Sequence, residues 1–297
     1  MSIHRSTVFA PAKLNLFLHL TGKRQDGYHT LDSLVCFADI GDMITFEEAE
    51  RFSFHIDGPF ANVFQSQRGY IDDNNLVVKA VRNMSQIADR ALNIKITLTK
   101  NLPIASGLGG GSSDAASTLW GLQQFWNYRI DDTIIQHVMV RLGADVPVCY
   151  LCQPTVMRGI GDHLVSHPMM PEIPIVIVNP NISCSTRDVF LHHSGYYREV
   201  INVPERFSSA ETLVDFLKQT HNDLYDPALC CVPDISNVLH ALNAFDSCLF
   251  SRMSGSGASC FGLFATMDEA LSAVQTLTSE YPDWHIFSGT LNAPQRY

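Results

Sequence analysis

The glycine-rich run from Ile104 to Ser117, which reads I-A-S-G-L-G-G-G-S-S-D-A-A-S, restricts the fold more than any other segment. It follows a stretch of alternating apolar and polar residues, Ile94 to Thr99, that is typical of a strand, and it leads into a segment of helical character. Glycines let successive backbone N–H groups turn toward one point, and a helix N-terminus adds unpaired N–H groups and partial positive charge. A strand, a glycine loop and a helix in this order predict a phosphate-binding loop.

Two familiar phosphate loops are excluded by the residues themselves. A Walker A loop requires a lysine after its last spacer, but Gly111 is followed directly by Ser112. A dinucleotide fingerprint requires a third glycine at the position of Ser112. The alternative without a ligand is a flexible turn before a helix, and three consecutive glycines followed by two serines that can cap a helix argue against it.

Composition and charge restrict the partners. A chain of 297 residues favours two domains, and we expect a division into 1–167 and 168–297 within the proline-rich stretch His167 to Pro174. A net charge of −10 without a Lys/Arg run argues against nucleic acid or an anionic membrane as partner, so an anionic substrate must be held by local groups. Neither a signal peptide nor a membrane-spanning apolar run is apparent, which predicts a cytoplasmic protein.

The order of apolar patterns predicts an α+β protein rather than a regular βαβ array. The predicted strands lie at about 3–9, 12–22, 30–38, 42–48, 52–56, 94–100, 173–178, 248–253, 259–264 and 284–290. The predicted helices lie at about 74–91, 112–127, 131–142, 186–193, 209–220, 234–244 and 267–280.

The eight cysteines include one C-x-x-C pair, Cys149 and Cys152, within V-P-V-C-Y-L-C, which the pattern indicates as a buried strand. Because there is no second pair, we expect two small core residues, and a redox or metal-binding pair is the alternative.

Two further motifs place polar residues in apolar surroundings. In A-P-A-K-L-N-L-F-L-H-L, from Ala10 to Leu20, alternation predicts leucines 14, 16, 18 and 20 on one face, with Lys13 and Asn15 on the other. Such a pair indicates a site if the strand is central, or a wet outer face if it is an edge. Asp145, in L-G-A-D-V-P, is either a helix cap or a functional acid.

Two turns are weaker signals. Asp26-Gly27-Tyr28-His29 is a turn followed by two rings, and alone it is as compatible with a packed tyrosine or a surface histidine. The segment Ser254 to Ala258 is a second glycine turn between two predicted strands, with or without a ligand.

Together, these segments resemble the GHMP small-molecule kinases. The resemblance covers Ala10 to about Phe264 and rests on P-A-K-L-N-L, D-G-Y-H, P-x-x-x-G-L-G-G-G-S-S-D-A-A, L-G-A-D-V-P and M-S-G-S-G-A, in this order. It implies a two-domain fold with a ribosomal protein S5 domain 2-like N-terminal domain, a ferredoxin-like C-terminal domain and a site in the cleft between them. The run A-K-L-N-L followed by D-G-Y-H resembles the corresponding motifs of the family branch that acts on a cytidine diphosphate-linked alcohol.

The activity that the resemblance implies is transfer of the γ-phosphoryl group of ATP, with Mg²⁺, to the 2-hydroxyl of 4-(cytidine-5′-diphospho)-2-C-methyl-D-erythritol. This is a step in the non-mevalonate route to isoprenoid precursors, and we expect the enzyme to be a monomer or weak homodimer.

By motif match, Lys13 and Asp145 are the catalytic pair. The matched substrate-binding residues are Asn15, Tyr28, His29 and Phe190, with Tyr28 and Phe190 on either side of the cytosine. The matched ATP-binding residues are Pro103, Ile104, Ala105, Ser106, Gly107, Leu108, Gly109, Gly110, Gly111, Ser112 and Ser113, with Asn75 and Lys100 near the adenine and ribose.

The sequence departs from the family pattern at two places, the entrance of the glycine loop and the position of the metal-binding carboxylate. Ser106 stands where glycine or alanine is usual, and Ser117-Thr118-Leu119 offers no carboxylate for the metal, so the residues that hold Mg²⁺ are open. Three other functions stay in consideration: a mevalonate or homoserine type of GHMP kinase, a non-catalytic nucleotide-binding protein on the same fold, and a redox protein that uses Cys149 and Cys152.

Overall fold

The computed structural model describes residues 4–62 and 73–293, so the predicted strand start at residue 3 and the outermost ends of both predicted domains lie outside the described residues. The strands are β1 (Arg5–Lys23), β2 (His29–Glu48), β3 (Ser53–Asp57), β4 (Ile94–Thr99), β5 (Thr155–Gly159), β6 (His163–Ser166), β7 (Ile173–Asn179), β8 (Cys248–Met253), β9 (Cys260–Phe264) and β10 (His285–Leu291). The helices are α1 (Leu76–Ala88), α2 (Gly110–Phe125), α3 (Asp132–Leu142), α4 (Val146–Leu151), α5 (Thr186–Leu191), α6 (Ala210–Leu217), α7 (Tyr225–Cys231), α8 (Asp234–Asn243) and α9 (Met267–Glu280). The α+β prediction is therefore confirmed.

The first four predicted strands are in fact two long ones. β1 and β2 pair antiparallel along almost their whole lengths, with irregularities between Pro11 and Ala12, between Asn15 and Phe17, and between Leu20 and Gly22. A bulge inserts an extra residue without ending the ladder, so the pairing continues past Pro11, where the sequence indicated a break.

The bulge after Asn15 also corrects the predicted face of the leucines. Leu14 packs in one buried cluster together with Leu16 and Phe17, whereas Leu18 and Leu20 belong to the other buried cluster. Because an extra residue reverses the alternation of side chains, four leucines at even spacing do not share a face.

The strands join in the order β3-β4-β2-β10-β7-β9-β8, and β1 and β5 also pair with β2. The strands of the first half of the chain meet those of the second half at the β2–β10 contact, through the single register pair Leu291–Ala38. One buried cluster contains residues from both halves, including Leu14, Leu102, Ile175 and Phe261. The proline-rich stretch 167–172 connects β6 to β7, and the predicted domain boundary there stays a prediction.

The predicted helices are all present with shifted ends, but one predicted strand is wrong. The segment around Cys149 forms α4, with Pro147 in its first turn, where a missing N–H costs nothing, and with Cys152 in the left-handed conformation at its end. β5, β6 and α7 had no predicted counterpart. Within the described ranges, no helix is long and apolar enough to cross a membrane.

Candidate functional site

A cleft of about 1280 Å³ brings together most of the residues that the motifs singled out. β1, the turn before β2, the loop before α2, the start of α4, α5 and the second glycine turn all contribute to its walls. The predicted residues that line it are Lys13, Asn15, Tyr28, His29, Asn75, Lys100, Pro103, Ile104, Ala105, Ser106, Gly107, Gly109, Gly110, Gly111, Ser112, Asp145 and Phe190. Leu108 and Ser113 are buried behind this wall.

Lys13 and Asp145 form an ion pair in the cleft, although Lys13 on β1 and Asp145 before α4 are 132 positions apart in the sequence. The Lys13 Nζ lies 3.0 Å from Asp145 Oδ2 and donates to Asn15 Oδ1 at 2.9 Å. The lysine side chain is 6% exposed and the aspartate 33%, so both line the cleft and the carboxylate is the more accessible partner. Asp145 makes no capping hydrogen bond to α4, which favours the functional reading over the cap.

Asn15 is fixed by a chain of hydrogen bonds that sequence reasoning missed. Its Nδ2 donates to Ser33 Oγ at 2.8 Å, and Ser33 donates to the Phe17 carbonyl at 2.6 Å. Its backbone N–H donates to Ser254 Oγ at 3.1 Å. With the amide nitrogen engaged, the amide oxygen faces Lys13, and burial of both side chains excludes a solvent-exposed face at this position.

The glycine loop lies directly against Lys13. Gly107 and Gly109 have φ values of +76° and +63°, in the left-handed region that favours glycine. Gly109 immediately precedes α2 and provides no side-chain cap, so the first N–H groups of this 16-residue helix stay open. Gly110, Gly111 and Ser112 carry these groups and line the cleft, which is the arrangement that binds a phosphate.

The two serines after the glycines differ in position. Ser112 lines the cleft, whereas Ser113 is buried and its Oγ has no hydrogen-bond partner among the described residues. Neither caps α2. Ser106, the departure from the family pattern, donates to the Pro103 carbonyl at 2.8 Å and so closes the loop on itself.

The second glycine turn supports the first. Ser254 Oγ donates to the Gly107 carbonyl at 2.9 Å, and the Ser259 N–H donates to the Ser106 carbonyl at 3.0 Å. Gly255 and Ser256 line the cleft. The turn therefore completes the cleft wall and is not an isolated hairpin.

Lys100 lies between two buried carboxylates. Its Nζ contacts Asp42 Oδ2 and lies 2.9 Å from Asp114 Oδ2. Asp42 also accepts the N–H groups of Asn101 and Leu102, at 2.6 and 2.9 Å, whereas Asp114 Oδ1 has no partner among the described residues. Neither aspartate was singled out as a site residue, because contacts between distant elements leave no local pattern.

The protonation of this cluster follows from its burial. Burial raises the pKa of Asp114 and outweighs the opposing effect of Lys100, and the neighbouring Asp42 raises it further. For Lys100, burial alone lowers the pKa, but Asp114 and Asp42 reverse the effect and the pKa is raised. We therefore assign the charges to Lys100 and Asp42 and the shared proton to Asp114.

Asn75 lines the cleft together with apolar side chains. Asn75 Oδ1 accepts the Val77 N–H at 2.9 Å and so begins α1, which leaves its amide Nδ2 for a ligand. Leu76 and Leu98 also line the cleft, and Leu76 lies beside Gly111 of the glycine loop. Apolar walls with a few polar groups are suited to a planar base.

Three aromatic or imidazole rings, those of Tyr28, His29 and Phe190, also line the cleft. Tyr28 is 62% exposed, so it is not a packed core residue. The His29 ring stacks on Phe190 with centroids 5.2 Å apart and an interplanar angle of 27°. Burial lowers the pKa of His29, and Lys23 and His193 lower it further, which favours the neutral imidazole.

The C-x-x-C pair does not belong to this site. Cys149 is buried within α4 and Cys152 is half-buried directly after it, and neither lines the cleft. Across residues 4–62 and 73–293, no group of three or more His, Cys, Asp or Glu side chains is arranged to hold a metal ion.

Comparison with known proteins matches both halves of the chain to one family. The family models for the GHMP kinases N terminal domain and the GHMP kinases C terminal region match residues 75–153 and 207–283. A 4-diphosphocytidyl-2-C-methyl-D-erythritol kinase of Paramagnetospirillum magneticum is 41% identical over 282 residues, 94% of this chain and 96% of the relative. One of Cereibacter sphaeroides is 43% identical over 284 residues, with the same coverage.

Solved structures agree. A crystal structure of 4-(cytidine 5′-diphospho)-2C-methyl-D-erythritol kinase is similar with a TM-score of 0.79 and 28% identity, and the similarity covers 97% of this chain and all of that one. Homoserine kinase from Cytophaga hutchinsonii has a TM-score of 0.69 at 16% identity, which shows a shared fold only; the similarity covers 99% of this chain and 97% of that one.

Proposed function

The chain belongs to the GHMP kinases and, within them, to the 4-diphosphocytidyl-2-C-methyl-D-erythritol kinases, and from this membership we propose that it transfers the γ-phosphoryl group of ATP to the 2-hydroxyl of 4-(cytidine-5′-diphospho)-2-C-methyl-D-erythritol. The observation that carries the proposal is the 3.0 Å contact of Lys13 with Asp145 beside an open helix N-terminus. A phosphate site and a positioned acid–base pair in one cleft are what a small-molecule kinase requires.

Phosphoryl transfer has a loose transition state, so the protein mainly positions the reactants and neutralises charge. The N–H groups of Gly110, Gly111 and Ser112 hold the β- and γ-phosphates of ATP. Asp145 orients the substrate hydroxyl and accepts its proton as the new O–P bond forms and the bond to ADP breaks. Lys13, anchored by Asn15, offsets negative charge on the transferred group.

Mg²⁺ fits the cleft as an ion carried on the ATP phosphates. Such ions are bound through one or two carboxylates plus phosphate oxygens and keep several waters. Asp145 and the Ser112 hydroxyl would hold the ion on the cleft wall, because Asp42 is paired with Lys100 and Asp114, which also lines the cleft, holds a proton. When bound, the ion supplies neutralisation of the β- and γ-phosphate charge.

Base recognition separates this function from its rivals in the superfamily. Mevalonate and homoserine carry no base, so the exposed Tyr28 and the His29–Phe190 stack would have no role with them. We propose that Tyr28 and Phe190 contact the cytosine and that His29 reads its polar edge. Stacking is also needed because a chain of net charge −10 attracts no diphosphate by bulk charge.

The remaining expectations extend this proposal. We propose a domain boundary at residues 167 and 168, supported by the position of that stretch between β6 and β7. Cytoplasmic location is supported by a sequence whose eight cysteines follow no extracellular disulfide pattern. A monomer or weak homodimer, without a nucleic-acid or membrane partner, accords with the acidic composition.

The test is mass-spectrometric detection of a phosphorylated product after incubation with Mg²⁺, ATP and each of several alcohols. We expect the cytidine diphosphate-linked methylerythritol to be phosphorylated, and mevalonate and homoserine not. Asp145→Asn is the control; it should lower kcat by about 10²–10⁴-fold with little change in KM for ATP. Preferred phosphorylation of mevalonate or homoserine, or no product with any alcohol, would contradict the proposal.

A further inference from the structure

Two rings that no motif singled out complete the cluster of rings around His29. His193 meets His29 edge-on, with centroids 5.6 Å apart and an interplanar angle of 78°. Tyr197 lies 6.2 Å from His29 and 5.4 Å from His193. With Phe190 stacked on its other side, His29 is surrounded by three rings, and all four line the cleft.

Tyr197 is held firmly by its neighbour. The Arg198 N–H donates to the Leu20 carbonyl of β1 at 2.8 Å, and Arg198 Nε pairs with Asp223 Oδ1 at 2.7 Å. Asp223 Oδ2 in turn accepts the Leu20 N–H at 2.9 Å. This closed set of bonds anchors the backbone next to Tyr197 to the long strand that also carries Lys13, with the Tyr197 ring 6.2 Å from that of His29.

His193 has a defined tautomer, whereas His29 is open to a ligand. The Gly195 N–H donates to His193 Nδ1 at 3.2 Å, so in the neutral ring the proton is on Nε2. Neither ring nitrogen of His29 has a hydrogen-bond partner among the described residues. In the described part of the chain, contacts with neighbouring rings rather than hydrogen bonds therefore position the His29 ring.

We propose that Tyr197 and His193 are positioning residues that hold His29 on Phe190 and thereby set the preference for cytosine over uracil in the substrate. The inference rests on the proposed function. Cytosine presents an amino donor where uracil presents a carbonyl acceptor, and the donor and acceptor character of N3 is reversed as well. An imidazole held in one orientation matches one of these patterns, whereas a ring that can tip and turn accommodates both.

The test compares kcat and KM for the cytidine substrate and for its uridine diphosphate-linked analogue. In Tyr197→Leu and in His193→Ala we expect the ratio of kcat/KM values, cytidine over uridine, to fall by about 3–10-fold, the scale of one lost aromatic contact. The value of kcat at saturating cytidine substrate and KM for ATP should hold, because Lys13, Asp145 and the glycine loop are untouched.

Two variants serve as controls. Tyr197→Phe keeps the ring and should keep the preference. Tyr196→Leu changes the adjacent tyrosine, which is 63% exposed, packs on Arg198 at 5.3 Å and lines a separate cavity of about 560 Å³ instead of the cleft. It should also keep the preference.

The outcomes separate the inference from the proposed function. An unchanged preference in Tyr197→Leu and His193→Ala, or equal losses with both substrates, would overturn the positioning role while wild-type activity on the cytidine substrate upholds the proposed function. If the wild type does not phosphorylate that substrate, both fall. His193→Ala decides the question alone if Tyr197→Leu does not fold, since His193 lies in the loop after α5.

Discussion

At the scale of single residues, the chemistry depends on how closely the glycine loop approaches Lys13. A Cβ added to Gly109 would lie 2.9 Å from Lys13 Cε and 3.0 Å from Lys13 Cβ. The glycine is thus required by its φ of +63° and also by the space that the catalytic lysine occupies.

Gly109→Ala should therefore act on the chemical step through Lys13. We expect kcat to fall by about 10²-fold, because a small displacement of a reacting group has effects of this size, and KM for ATP to change much less. Gly111→Ala is the control, since its added Cβ meets only Leu76 Cδ1, at 3.8 Å. Steady-state kinetics with a melting curve for each variant make the comparison, and equal kcat values in the two variants would refute the role of the close approach.

The residues of the site were predictable where a motif carries them, and not where a partner is distant in sequence. Lys13 and Asn15 were placed together correctly because they are two positions apart on one strand. Ser33 and Ser254 were missed because they lie 18 and 239 positions from the Asn15 that they bind. A hydrogen-bond partner supplied by the fold leaves no trace in local spacing.

At the scale of elements, the Lys100 cluster fastens α2 to the sheet. Lys100 follows β4, Asp42 lies on β2 and Asp114 lies on α2, so three elements meet at one ammonium group. All three side chains are at most 5% exposed. Removal of the cation leaves the buried Asp42 carboxylate without its counter-charge, which is the costly way to break a buried ion pair.

Lys100→Met should accordingly destabilise the fold by about 3–5 kcal/mol, measured by urea denaturation. Asp114→Asn is the matched variant, because it keeps the Lys100–Asp42 pair and replaces the carboxyl that holds the proton. A folded-state pKa above the ordinary 3.8 means that wild type loses stability as pH rises through the raised value. The stability of Asp114→Asn relative to wild type should thus increase with pH, and a constant difference from pH 5 to pH 9 would contradict the assigned proton.

Element boundaries show where local patterns stop being informative. The strand patterns on either side of Pro11 were predicted correctly, but the break predicted between them was wrong. The ladder continues past Pro11 because a bulge between Pro11 and Ala12 shifts the register there. The V-P-V-C-Y-L-C run forms a helix because a proline near the start and a left-handed residue at the end suit one short turn, although its apolar composition resembles a buried strand. Bulges and short buried helices are set by their tertiary neighbours.

At the scale of the whole molecule, the two halves of the chain are joined at the site. Within the described residues, β2 and β10 of the one sheet share the single register pair Leu291–Ala38. The loop before α2 and the turn before β9 are joined by two hydrogen bonds, from Ser254 Oγ to the Gly107 carbonyl and from the Ser259 N–H to the Ser106 carbonyl. The sequence predicted an α+β chain of two parts with a cleft between them through the family resemblance, and the contact of one glycine turn with the other had no sequence signal.

Gly107 is the residue on which this contact depends most. A Cβ there would lie 2.4 Å from the Ser254 carbonyl oxygen and 2.8 Å from that of Gly257, and main-chain atoms cannot move aside without moving the turn. Its φ of +76° adds a backbone cost for any other residue. Gly107→Ala should therefore separate the two turns and so weaken the contact between the two halves of the chain.

We expect Gly107→Ala to lower Tm by roughly 5–10 °C, from overpacking and left-handed strain, and to weaken both ATP and the cytidine substrate. Both ligands are affected because the loop holds the phosphates and Ser254 holds Asn15.

Ser254→Ala is the matched variant. It removes the two hydrogen bonds of the Ser254 hydroxyl, to Asn15 and to Gly107, at a cost of about 1–3 kcal/mol. Because it adds no atom between the two turns, the affinities for both ligands should fall much less than in Gly107→Ala. Calorimetric titration of each ligand beside a melting curve measures these effects. A Gly107→Ala protein that bound ATP poorly, but melted normally and kept its affinity for the cytidine substrate, would confine the role of Gly107 to the phosphate loop and refute the coupling of the two halves.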